Sequence, residues 1–338
     1  MNDDLDRALD RLADFPDLPA MAAVAASAGD AEVSQLARLT WLLADSGERL
    51  GPPSRDVVDI ASSGGPGSLS TLLAPLYARA LGVRVAKIAV PGRPAGGLDV
   101  LASLPGYDTD LDAPAARRVL DDCGYVHVAA GGAFCPLDAR FFAWRQANGA
   151  QAIPNLAITS LLAKKLAAGV GRVVLDIRVG AHGNFGATAA DARPNATRLV
   201  AVAAELGIRA ICVLTVSSGA AQPWIGRGEA LVALASVLAG TADGALNAHA
   251  QDCLHMAGLA VDASDAASDR GALAPAATSA HEAMLAAHGT DPQTFWSRQR
   301  TIATVPRHVV TAEDTGRCRS TSVSFVTSSW SDSAPRSP

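Results

Sequence analysis

Alternation limits what this chain can fold into more than any other feature. Short, mostly apolar runs, DVVDIA, VRVAKIAV, YVHVAA, RVVLDIRVG and RAICVLTV, recur along it. Stretches with helical spacing separate them, among them TLLAPLYARALG, which Gly82 ends, and AARRVLDDCG. Runs so short and so apolar read as strands buried on both faces. Strands joined through helices pair in parallel with crossover connections, so the expected fold class is α/β with a mainly parallel sheet.

Residues 1–53 break that pattern. They read as short Ala- and Leu-rich amphipathic helices, with SQLARLTWLLAD the clearest stripe, and Gly51, Pro52 and Pro53 end them. Residues 137–169 are also helical without strands and are expected to join 1–53 as a small helical lobe. That leaves 54–136 with 170–305 as the α/β lobe, and 306–338, rich in Ser and Thr and without periodicity, as a mostly disordered tail.

Charge and cysteine usage narrow the partners. A net charge of −5 with no basic run argues against nucleic acid and for a small molecule. The cysteines lie far apart with no CxxC or Cys/His spacing, so neither disulfides nor a metal site is expected. No apolar run reaches the roughly 18 to 20 residues of a membrane span, and the acidic start MNDDLDRALDRLADF is not a secretory leader. A cytoplasmic protein is the expectation. Only Lys87, Lys164 and Lys165 are lysines among 28 Lys and Arg, so each stands where Arg has otherwise taken over.

The first strand runs into DIASSGGPGSLST, residues 59–71. A Gly- and Ser-rich loop between a strand and a helix N-terminus turns unpaired N–H groups and a favourable dipole toward one point, and Ser62, Ser63, Ser70 and Thr71 add hydroxyls. The spacing is neither that of a Rossmann nor of a Walker loop, and it contains no cation. Composition alone fits an anion cradle or an ordinary glycine turn equally well.

The surrounding motifs add a resemblance. VVDIASSGGPGSLSTLLAPL is similar to the signature loop of the pyrimidine and thymidine phosphorylase family, written V-D-K-H-S-T-G-G-V-G-D with a Ser three positions on. GGLDVLASLPGY, FCPLDARFFAWR, ITSLLAKKLAAG, VVLDIRVGAHGNFGAT and VLTVSSGAAQPWIGRGEAL follow in the family's order, so that residues 35–300 are covered. The resemblance implies a helical lobe and an α/β lobe with the active site in the cleft between them, and a homodimer through the helical lobe. It implies phosphorolysis of a pyrimidine nucleoside to free base and ribose 1-phosphate, with inorganic phosphate as co-substrate and no cofactor or metal.

Carried residue by residue, the family's base-holding Arg, Ser and Lys fall on Arg145, Ser160 and Lys164. Cations and hydroxyls there would hold the pyrimidine carbonyls and the negative charge that develops on the ring. Ser62, Ser63, Gly64, Gly65, Ser70 and Thr71 correspond to the phosphate loop. The loop's Lys and His are here Ile60 and Ala61, and a further phosphate-contacting Ser and Thr fall on Ala89 and Pro94. Losing the paired cation should cost several kcal/mol of phosphate binding. Arg93 and Lys87 are the candidate substitutes, each with a solvated charge or a strand-end ion pair as its plainer reading.

His182, in GAHGNFGAT, is a candidate general base, whereas His127 on YVHVAA reads as structural. Asp99 and Asp176 read as caps or ion pairs. VVDIASSGG, LSTLLA and VRVAKIAV also resemble the anthranilate phosphoribosyltransferases, which implies an alternative second substrate, a phosphorylated ribose with magnesium. A non-catalytic pyrimidine-binding protein is the third reading. Against the family, the N-terminal helical region is short and the C-terminal α/β subdomain is expected to be missing or degenerate after TVPRHVVTAEDTG.

Overall fold

A computed structural model describes residues 3–64, 67–93, 96–181, 183–217, 219–262 and 270–305; the expected disordered tail lies outside the described residues. Three helices open the chain: α1 (Asp3–Asp14), α2 (Leu18–Ser27) and α3 (Val33–Ala44). In α1, Leu5, Leu9 and Leu12 share one face and are buried, so trimming any of them to Ala would cost about 2–5 kcal/mol.

After Gly51, Pro52 and Pro53 the alternation begins with β1 (Ser54–Ser62), α4 (Ser70–Ala80), β2 (Arg84–Ala89), the short α5 (Gly97–Leu101), α6 (Ala113–Cys123) and β3 (Tyr125–Ala129). Asp112 caps α6 by accepting from Ala115 N–H at 2.7 Å, and Gly124 ends it in a left-handed conformation, φ +73°. Two helices, α7 (Pro136–Ala147) and α8 (Pro154–Ala167), interrupt the strands. Then come β4 (Val170–Val179), α9 (Ala189–Glu205), β5 (Arg209–Val216) and four helices, α10 (Arg227–Leu238), α11 (Gly244–Val261), α12 (Arg270–Ala287) and α13 (Pro292–Ala303).

The five strands form one all-parallel sheet in the order β3-β2-β1-β4-β5, as the apolar runs predict. Alternation along the strands sorts side chains to two cores. Ala61, Ile88, Val128, Leu175 and Ile177 pack beneath α1–α3, α8 and α9. Val58, Ile60, Val85, Tyr125 and Val174 pack beneath α4, α5 and α10–α13. Of the two edge strands β3 is buried, whereas β5 is only half-buried along its length.

This strand order fixes where a ligand can sit. The chain leaves β1 toward β2 on one side, while β4 lies on the other, so the carboxyl ends of β1 and β4 flank the point where the winding reverses. In open parallel sheets that crevice is the ordinary ligand site. Among the described residues no helix is long and apolar enough to cross a membrane, and no group of His, Cys, Asp or Glu is arranged to hold a metal.

Candidate active site

The Gly- and Ser-rich loop emerges at that crevice. Ser62 lies opposite Asp176 of β4, and the Ser63 N–H donates to the Asp176 carbonyl at 3.0 Å. The Arg178 N–H donates to Ser63 Oγ at 2.8 Å, and Gly64 N–H donates to Ser62 Oγ at 3.2 Å. Both hydroxyls are therefore fixed as acceptors of backbone N–H groups, and among the described residues neither donates its own proton, which leaves it for a ligand oxygen. Gly64 has φ +103°, a conformation that favours glycine. Gly65 lies outside the described residues.

Two expected cradle residues are spent elsewhere. Ser70 is fully buried and its hydroxyl donates to Asp176 Oδ2 at 2.9 Å, so it braces the loop against β4 rather than facing an anion. Lys87 is buried too: its ammonium donates to Asp59 Oδ1 at 2.5 Å and to the Ile60 carbonyl at 2.6 Å. The expectation of direct Lys87 contact with an anion is corrected accordingly. A lone lysine inside an apolar strand finds its carboxylate on the neighbouring strand, because a buried charge needs a partner.

Arg93, on the loop after β2, stands differently. Its guanidinium faces Gly64, whose Cβ position would lie 3.6 Å from Arg93 Nη2, and it stacks 5.3 Å over the Phe142 ring of α7. The nearby carboxylate of Asp99 is taken by the N–H groups of Gly92 and Arg93, at 2.8 and 3.1 Å, and by Arg227 at 3.3 Å. Among the described residues the Arg93 guanidinium has neither hydrogen bond nor ion pair. Thr71 opens α4 half-buried against Gly97, where a Cβ would come within 2.9 Å of its Oγ1.

Of the three base-side residues, Ser160 and Lys164 of α8 come together with one that the motifs do not single out, Asp138 of α7, while Arg145 of α7 makes no hydrogen bond with the Ser160 or Lys164 side chain among the described residues. Lys164 Nζ donates to Asp138 Oδ2 at 2.6 Å, to Ser160 Oγ at 3.0 Å and to the Ser160 carbonyl. Arg145 donates to the carbonyls of Ala150, Leu156 and Gln151 at 3.3, 3.0 and 3.4 Å. Burial lowers the Arg145 pKa to about 10, Asp138 opposes that shift and Arg93 adds to it, so Arg145 stays charged at neutral pH and the two guanidiniums sense each other. The signal for Asp138 was available: it sits seven positions before Arg145, on the same helix face.

Behind the cradle, Arg178 and Asp176 form a buried pair, Nη1 to Oδ2 3.6 Å, so Asp176 is an ion-pair partner as well as the acceptor for Ser70. His249 accepts the Leu69 N–H through Nε2 at 2.8 Å and so holds the entry to α4; burial, then the Arg178 charge, keep its pKa below the ordinary value. His127 is buried, with burial and the Lys87 charge pushing its pKa well down. His182 lies outside the described residues.

No protein-family model matches this sequence. It is similar to thymidine phosphorylases: 37% identical over 182 residues to that of Rhizobium meliloti strain 1021, covering 52% of this chain and 41% of that protein. Against the thymidine phosphorylase of Agrobacterium fabrum it is 36% identical over 186 residues, 54% of this chain and 42% of that one. The chain thus spans well under half the length of these curated relatives. Among solved structures it is similar to anthranilate phosphoribosyltransferase from Thermus thermophilus, with TM-score 0.61 and 17% identity over 90% of this chain and 96% of that one. That last likeness is one of fold.

Proposed function

We propose that this chain is a pentosyltransferase that cleaves a pyrimidine nucleoside with phosphate, releasing free base and ribose 1-phosphate. Its sequence similarity is to thymidine phosphorylases, and the observation that carries the reading is the Arg93 guanidinium, unpaired among the described residues, between Gly64 of the cradle and Phe142 of the base-side helix. A cation at that place restores to the loop the charge that Ile60 and Ala61 remove. Phosphate held by the free hydroxyl protons of Ser62 and Ser63, by Thr71 and by Arg93 is positioned rather than chemically activated, which suits a nucleophile that is already anionic.

A phosphate oxygen forms the new bond to the anomeric carbon as the bond to the pyrimidine nitrogen breaks, and the electron pair leaves with the ring. Arg145 and Lys164 are the groups that stabilise that charge. In the structure every Lys164 donor is occupied, so substrate carbonyls take the places of Ser160 and a backbone carbonyl.

Incubation with uridine or thymidine, with and without phosphate, followed by chromatography of base and sugar phosphate tests the reading. Release of base that requires phosphate and yields the sugar 1-phosphate is expected. Phosphate-independent release indicates hydrolysis. Base consumption only with phosphoribosyl pyrophosphate and magnesium would instead favour the phosphoribosyl reading, and base binding without turnover would favour a non-catalytic role.

A further inference from the structure

The anion site has two walls, and among the described residues no hydrogen bond joins them. One is the Gly- and Ser-rich loop between β1 and α4, and the other is the loop after β2 that carries Arg93. Hydroxyls on the first and a guanidinium on the second can share one anion only if the two loops keep a fixed spacing. A third loop, running from the carboxyl end of β5 to α10, is bonded to both.

Gln222 of this third loop makes the first bond. Its side chain is buried, and a buried primary amide needs acceptors for its two protons and a donor for its oxygen. Nε2 donates to the Gly67 carbonyl at 3.0 Å and to the Trp224 carbonyl at 2.6 Å, while Oε1 accepts the Trp224 N–H at 2.7 Å. The two bonds to Trp224 fix the plane of the amide, so the remaining proton is aimed at the cradle loop. Gly67 is matched to that approach: its φ is +66°, and a Cβ there would stand 2.8 Å from Ala220 Cβ and 3.0 Å from the Gln222 carbonyl.

Arg227, at the start of α10, makes the second bond. Its Nη2 donates to the Arg93 carbonyl at 3.1 Å and to Asp99 Oδ1 at 3.3 Å, the oxygen that also accepts the Gly92 N–H. Each of the two residues thus holds the backbone of one wall.

We propose that Gln222 and Arg227 are positioning residues for the anion: together they make the β5–α10 loop a clasp that sets the span from the Ser62 and Ser63 hydroxyls to the Arg93 guanidinium. The inference rests on the reading of the cradle as a phosphate site. Where groups converge on one ligand, misplacement by about 1 Å can cost about a hundredfold in rate, so the tethers have leverage without touching the anion.

Calorimetric titration of the full chain with inorganic phosphate at constant pH tests it. Gln222→Met keeps the length of the side chain and removes its three bonds, and affinity should fall about tenfold. Arg227→Gln should lose about threefold, and the loss should persist in high salt, where the charge of this half-exposed side chain is screened. The double variant should bind about as Gln222→Met does, since one broken tether already frees the spacing. Residues that served only the fold would lower the melting temperature and leave phosphate affinity unchanged. Equal affinity in either single variant therefore overturns the inference, as do an Arg227→Gln loss that vanishes in high salt and losses that multiply in the double variant; in each case the cradle reading stands. If Gln222→Met does not fold, the salt series on Arg227→Gln decides. Failure of the wild-type chain to bind phosphate overturns the cradle reading and the inference together.

Discussion

The base-side cluster and the cradle answer the same problem, holding polar groups at the edge of a core, in opposite ways. On α7 and α8 the charges are buried and closed on one another: Asp138 is satisfied by Lys164, Lys164 by Ser160, and Arg145 by three backbone carbonyls. At the cradle the hydroxyls of Ser62 and Ser63 are oriented as acceptors, and among the described residues they donate to no partner and Arg93, resting on an aromatic ring, meets no carboxylate. The closed cluster contributes to the fold and must exchange partners to bind. The open one contributes little to the fold and is ready for an anion. Substitutions should therefore separate stability from binding according to region.

The largest effect is expected at Lys164. Lys164→Met leaves the Asp138 carboxylate buried and alone, which costs about 3–5 kcal/mol, so the urea midpoint should fall steeply along with turnover. A variant that kept its midpoint and lost only activity would break the comparison, because the cluster would then be catalytic without being structural.

Acid should act on the other side of the sheet. His127, His249, His281 and His288 are buried with pKa values lowered chiefly by burial, His281 to about 3, and they sit on β3, α11 and α12 and just beyond α12, none of them in the base-side cluster. The unfolded chain binds protons near the ordinary histidine pKa of about 6.5 and the folded chain does not, so the stability is complete above that pH and falls as the pH drops below it. Each histidine adds up to about 1.4 kcal/mol per pH unit. Unfolding followed between about pH 7 and about pH 5 checks the slope, and hydrogen exchange should show α11 and α12 opening before α7 and α8.

Arg93→Gln should do the reverse of Lys164→Met. Phosphate affinity is expected to drop about tenfold or more with stability changed by less than about 0.5 kcal/mol, read from calorimetry and a thermal melt. The smallest effect belongs to Ser63→Ala, which removes an acceptor from the Arg178 N–H and a donor from the cradle. About 1 kcal/mol should be lost from stability and from anion binding alike, which places Ser63 between the two regions.

Much of this was legible without coordinates. Parallel α/β alternation follows from apolar runs too short and too uniformly apolar for anything but buried strands, and each run quoted is a strand of the sheet. Ser160 and Lys164 come together because two residues four apart on one helix share a face, whereas Arg145 on the preceding helix is bonded to backbone carbonyls. Asp138 shares that logic but was hidden by its place in a helix's first turn, where an acid is ordinary. Ser70 read as a cradle hydroxyl because nothing local says that Asp176, more than a hundred residues later, accepts its proton.

By itself the sequence determined the succession of strands and helices along the chain, the loop at the end of β1 and the identities of the polar residues, since periodicity and turn chemistry are local properties. Only the tertiary structure decided which charge each of them meets. It spent Lys87 on Asp59 and left Arg93 facing Gly64, because ion pairing in a buried sheet depends on which strands lie side by side, and strand order is written in long-range packing rather than in neighbouring residues.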